Sequence, residues 1–163
     1  MGRVLPGATD YVFHGKVLGA QGGDVIVLDE DAVGGAHAVV VAAAHADGVL
    51  VQVAVAGVSL ASVAGELAAA EVEAVLTIEH PALESYTPDG FVAVFADVVT
   101  GTQPDLVFLA HTYQTREFAP KLAVRLGRSL ITDCIAVKQR DDRLAFIRPM
   151  FQGKFVADVA PIG

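Results

Sequence analysis

The chain has 163 residues, 53% hydrophobic, 18% charged and 7% aromatic, with a formal net charge of −8. That length and apolar content suit one globular domain and exclude disorder, while the acidic balance argues against a nucleic-acid partner, whose phosphates need clustered Lys and Arg. The single cysteine, Cys134, excludes an intramolecular disulfide and a Cys-rich metal site.

In chain order, residues 1–23 are Gly-rich and unpatterned, so an irregular extension is expected there, with a short strand near 11–17 and the domain proper at 24–163. Asp24–Glu30 is a β-branched run bounded by Gly and acid, which reads as a buried strand. The length and Ala content of 32–46 predict a helix, ended by Asp47-Gly48, and 49–56 predicts a second strand. The Ala/Val-rich region 32–70 is interrupted by His45, Asp47, Gln52 and Glu66 before an apolar span of about 18–20 residues can form, so no membrane insertion is expected. Met1–Val4 starts no signal-type stretch, and a cytoplasmic protein is the default. Ser59 offers an N-cap to a helix with Leu60, Val63, Ala64, Leu67 and Ala68 on one face.

Val72–Ile78 is the third expected strand, broken by His80-Pro81. Thr87 and Pro88 then suit the cap and first position of a helix that turns Phe91, Val92, Phe95, Val98 and Val99 inward and ends near Gly101. A fourth strand follows at 105–110. The next helix has Phe118, Ala119, Leu122, Ala123 and Leu126 on its apolar face and Lys121, Arg125 and Arg128 outside; Pro120 is expected in its first turns and Gly127 at its stop. Strands are expected at 130–139, 144–148 and 154–159, the first turning at Asp141-Asp142, and Cys134 is expected as a buried thiol of the first. Strands alternating with helices imply a parallel sheet with helices on both faces and an antiparallel hairpin at the end.

In such sheets ligands bind beyond the carboxyl ends of the strands. No loop there carries a Gly-rich dinucleotide fingerprint, a phosphate-loop Lys motif or a nucleophile elbow, and no nucleophile, base and orienting residue converge, so no catalytic residue is expected. His37 and His45 could share a helix face, but no further ligand joins them at metal spacing. Glu79-His80 reads as a strand-end turn. The loop His111, Thr112, Tyr113, Gln114, Thr115, Arg116 is the richest in hydrogen-bonding groups. With His111, Thr112, Thr115 and Arg116 as candidates, it could cradle an anion at a helix start or simply cap that helix. The late basic residues Lys121, Arg125, Arg128, Lys138, Arg140, Arg143, Arg148 and Lys154 could mark a surface for an acidic partner, although a solvated helix face and hairpin explain them more cheaply.

Four blocks carry a family resemblance. Thr115–Leu126 is similar to the G-R-D-L-A-P-R-x-A-A-x-L helix of electron transfer flavoprotein α subunits, with Thr115 where the family commonly has Gly. Thr132-Asp133-Cys134 falls at that family's S/T-D-V strand, and 146–154 resembles its F-x-R-P-x-Y-x-G-N segment. Ile78–Asp89 matches its post-strand turn, and the blocks run in order from about 72 to 160.

The resemblance implies the amino-terminal domain of such an α subunit. The fold implied is a three-layer αβα sandwich, adenine-nucleotide α-hydrolase-like and Rossmann-like, with a mostly parallel sheet. The function implied is that of a scaffold and subunit-interaction part of an FAD-containing heterodimer. That carrier passes electrons from flavin dehydrogenases of the acyl-CoA type to a quinone reductase, in the cytoplasm of a bacterium or in the mitochondrial matrix. FAD would be held mainly by a carboxyl-terminal domain that is absent here, and the β subunit would be the partner. A stand-alone AMP- or ATP-binding protein is the alternative, leaning on residues 111–116.

Overall fold

The computed structural model describes residues 37–45, 48–69, 72–110, 112–140 and 143–161. The extension 1–23 and the strand expected at 24–30 lie outside the described residues. Strand β1, His37–His45, pairs antiparallel with β2, Gly48–Gly57, with His45 opposite Gly48. This corrects the helix expected over 32–46. The three consecutive valines Val39–Val41 favour a pleated chain, because β-branched side chains are stiff and fit strands better than helices. Residues 37–45 therefore form a strand where a helix was expected, and Gly48 opens the next strand.

Helix α1, Ala61–Leu67, leads to β3, Ala74–Glu79; a single 3-10 turn at Pro81–Leu83 precedes α2, Pro88–Thr102. Strand β4, Leu106–Leu109, is followed by α3, Tyr113–Leu126, and the chain ends in β5, Ala136–Arg140, β6, Arg143–Met150, and β7, Phe155–Val159. The first sheet has the order β3-β2-β1-β4 and the second the order β5-β6-β7. Strand β1 runs antiparallel to both β2 and β4, while β3 is parallel to β2, so β2, β3 and β4 share a direction that β1 opposes. The fold is thus α/β with a mixed sheet, where β2–β3 is the one directly paired parallel couple among the described residues. The second sheet is antiparallel throughout, and Arg140 opposite Arg143 places the expected hairpin between β5 and β6.

Several local expectations shift for physical reasons. Ser59 does not cap α1: it sits in the left-handed region at φ 56°, and Leu60 occupies the cap position. Thr87 holds the N-cap position of α2 without a side-chain cap bond, and Pro88 follows it as expected. That helix runs to Thr102 and closes on Gln103, left-handed at φ 48°, whose N–H donates to the Val99 carbonyl at 2.9 Å. Pro120 stands in the middle of α3, not in its first turns, because the helix already starts at Tyr113. Gly127 does end it at φ 63°, with Arg128 N–H donating to the Ala123 carbonyl at 3.0 Å. Residues 130–135 are irregular, so the strand expected from 130 begins only at Ala136.

The core centres on β2, where Val53, Ala54, Val55 and Ala56 are each 0% exposed. Because successive strand residues face opposite ways, both faces of β2 are covered. Phe91 and Phe95 of α2 meet Phe118 of α3, with ring centroids 6.3 Å (Phe91–Phe118) and 5.6 Å (Phe95–Phe118) apart. Phe108 of β4 meets Phe146 of β6 at 6.4 Å and ties the two sheets together. Truncating Phe118 to Ala should cost about 3–5 kcal/mol, the usual range for a buried aromatic. Urea denaturation measures it, and a loss below about 1 kcal/mol would mean that the aromatic cluster does not hold α3 in place.

Candidate functional site

The shared direction of β2, β3 and β4 brings their carboxyl ends, Gly57, Glu79 and Leu109, to one edge of the sheet. That edge is where an α/β domain ordinarily receives a ligand. Here its polar groups are largely occupied by one another. The carboxylate of Glu79 accepts the N–H of Leu60 at the start of α1, standing in for the missing local cap. His80 accepts the N–H of Ala82 on Nδ1 at 3.1 Å and caps the 3-10 turn. Its own N–H donates to the Gly57 carbonyl at 3.3 Å, joining the ends of β2 and β3. Glu79-His80 is therefore a strand-end turn.

At the start of α3, Thr112 is the N-cap and its Oγ1 accepts the N–H of Thr115 at 3.0 Å. The two threonine hydroxyls also lie 3.0 Å apart, and Arg116 N–H donates to the Thr112 carbonyl at 3.0 Å. Of the four loop candidates, Thr112 and Thr115 are brought together as a cap, Arg116 is exposed, and His111 lies outside the described residues. Tyr86 reaches across from the loop before α2 and donates its hydroxyl to the Gln114 carbonyl at 3.0 Å. Burial, then the charge and hydrogen bond of nearby Glu117, push the Tyr86 phenol up to about 12. Neither sequence period nor motif pointed to this tie, since its partners lie 28 residues apart.

His37 and His45 mark the two ends of β1, about 26 Å apart at strand rise, so they cannot share an ion. Among the described residues no group of three or more His, Cys, Asp or Glu is placed to hold a metal, and no helix is long and apolar enough to cross a membrane.

A second polar locus joins two of the sequence blocks. Arg148 of β6 donates through Nη2 to Asp133 Oδ2 at 3.3 Å, and the Thr132 hydroxyl donates to the same oxygen at 2.8 Å. Asp133 is left-handed at φ 59°, which aims its carboxylate at β6. Cys134 is exposed in this irregular run, correcting its expected burial in a strand. Desolvation still pushes its thiol up, with Arg148 partly offsetting and Asp133 adding.

A family model described as the electron transfer flavoprotein domain matches residues 20–162. This chain belongs to the electron transfer flavoprotein family. It is of the kind that forms the amino-terminal domain of α subunits. It is 39% identical over 98 residues to electron transfer flavoprotein subunit alpha of Bacillus subtilis (strain 168), covering 60% of this chain and 30% of that protein. The subunit alpha of Clostridium acetobutylicum is 33% identical over 89 residues, covering 52% and 26%. The acryloyl-CoA reductase electron transfer subunit beta of Anaerotignum propionicum is 32% identical over 78 residues, covering 48% and 21%. The matches span under a third of these relatives' length. The family's own description is that of flavoproteins that transfer electrons.

The Tyr86 tie has a pH signature. A phenol whose folded pKa lies above its unfolded value near 10 stabilises the fold below that value, and the contribution is lost as pH rises toward about 12. Alkaline thermal melts should therefore show wild type losing stability across that window more steeply than Tyr86→Phe. The variant should also be about 1 kcal/mol less stable at neutral pH. Parallel alkaline profiles for the two proteins would refute the assignment.

Proposed function

We propose that this domain is the scaffold and subunit-interaction part of an electron transfer flavoprotein, docking its β subunit in a carrier that moves electrons from flavin dehydrogenases to a quinone reductase. The observation that carries the docking role is an exposed apolar patch at the turn between β6 and β7. Phe151 and Phe155 are 73% and 66% exposed, and their rings pack edge to face at 6.0 Å. Val156, next in the chain, is 63% exposed. Aromatic pairs of this kind are unusual on a solvated surface and common at the centres of interfaces. Phe151 and Gln152 also hold left-handed backbone at φ 50° and 59°, a conformation with a cost for residues other than Gly.

The residues present do not fit a flavin pyrophosphate at the carboxyl edge of the sheet. The Thr115 N–H that could face an anion is taken by Thr112, and Glu79 sets a carboxylate at the start of α1. An anionic ligand would meet the Glu79 carboxylate at the start of α1 and find the Thr115 N–H taken at the start of α3. The same occupancy disfavours the alternative of a stand-alone AMP or ATP site. This supports FAD being held elsewhere in the heterodimer. The burial of β2 on both faces supports placing the α/β core within a three-layer, Rossmann-like sandwich.

Size-exclusion chromatography of the chain with its cognate β subunit should give one co-eluting complex. The chain alone should show no stoichiometric flavin absorbance and no thermal shift with millimolar AMP or ATP. Separate elution of the subunits under all conditions, or visible flavin bands near one per chain, would overturn this reading.

A further inference from the structure

The outer face of α3 carries apolar residues where a solvated helix is ordinarily polar. Phe118, Ala119 and Leu122 are buried against the core, and on a 3.6-residue period the opposite arc holds Tyr113, Pro120 and Val124 at i, i+7 and i+11, with Glu117 at i+4 on the edge of the arc that faces Tyr86. Tyr113 and Val124 are 86% and 82% exposed, more than any other large hydrophobic among the described residues. Exposed Pro120 stands between them and, lacking an N–H, leaves the Arg116 carbonyl without its usual helical donor on that side.

The flanks are basic. Arg116, Lys121, Arg125 and Arg128 are all exposed, while Glu117 is the one acidic residue between Thr112 and Arg128. Glu117 is engaged with Tyr86, and Lys121 bonds Asp89 at 2.8 Å, which leaves three arginines as the rim of the stripe. This basic helix belongs to a chain of net charge −8. The concentration of positive charge around an apolar stripe is what an acidic surface would recognise. A twofold contact between copies of this chain would set one arginine rim against the other, so self-association is the disfavoured occupant.

We propose that the outer face of α3 docks an acidic protein partner, with Tyr113, Pro120 and Val124 as its apolar centre and Arg116, Arg125 and Arg128 as its rim. Its small apolar centre and charged border suit a transient contact with salt-sensitive association. It does not rest on the β-subunit contact assigned to Phe151 and Phe155.

The test titrates the isotope-labelled 163-residue chain with a synthetic helical peptide bearing Leu at i, i+7 and i+11 flanked by Glu, and with its Lys-flanked counterpart. The Glu-flanked peptide should shift amides along Tyr113–Arg128, and its affinity should fall about tenfold as salt rises from about 0.05 to 0.3 M. R125E/R128E should weaken it at least as much, V124S should weaken it as well, and the Lys-flanked peptide should leave α3 unperturbed. Circular dichroism of both variants should be unchanged, since these positions are exposed. The proposal is overturned by silence at α3 with millimolar Glu-flanked peptide, by equal response to both peptides, or by shifts confined to 151–156. Undiminished binding by the variants, or a dimer in sedimentation that V124S breaks, would equally overturn it.

Discussion

Four consecutive residues of β2 have no exposed surface, and this one constraint organises the rest of the domain. A strand buried on both faces must be covered on both, and its own side chains are only Val and Ala. The bulk therefore has to come from elsewhere: Phe91 and Phe95 of α2 and Phe118 of α3, all at most 1% exposed, fill the space that small strand residues leave. Once these helices are seated, the loops that precede them are seated too. Tyr86 fastens the loop before α2 to the first turn of α3, and Glu79 fastens the end of β3 to the start of α1. At the carboxyl edge of the first sheet, among the described residues, the N–H groups of Leu60, Ala82 and Thr115 are given to Glu79, His80 and Thr112.

Much of this was legible from the residues. The apolar periods over α2 and α3 placed their buried faces, and Gly127 ended α3, because helix periodicity and C-terminal glycine are local signals. The failure at 32–46 was also local. Ala content favours a helix, but the β-branched run Val39–Val41 favours a strand, and pairing of 37–45 with both β2 and β4 settles the outcome. What no local reading could supply were the long-range polar ties. Tyr86 to Gln114 and Arg148 to Asp133 join separate elements, and nothing in residue spacing announces them. The Arg148–Asp133 pair nevertheless lies between two blocks that carried the family resemblance, which gives those blocks a structural reason to occur together.

The family of carriers to which the chain belongs frames the rest. Among the described residues the surface holds two apolar features of different character. The Phe151–Phe155 pair lies at the turn of an antiparallel sheet, whereas the α3 stripe is ringed by arginines. A durable subunit contact favours the first, since aromatic area dominates obligate interfaces. A salt-sensitive, short-lived one favours the second. In the role proposed for the domain, the first would hold a subunit and the second would meet a transient partner.

The β6–β7 turn is the place proposed for β-subunit docking. Amide hydrogen exchange of the chain, alone and saturated with its β subunit, tests that location directly. Strong new protection is expected over residues 150–157, with little change at the carboxyl edge of the first sheet. Protection confined to the loops after β3 and β4, with 150–157 exchanging as in the free chain, would contradict it.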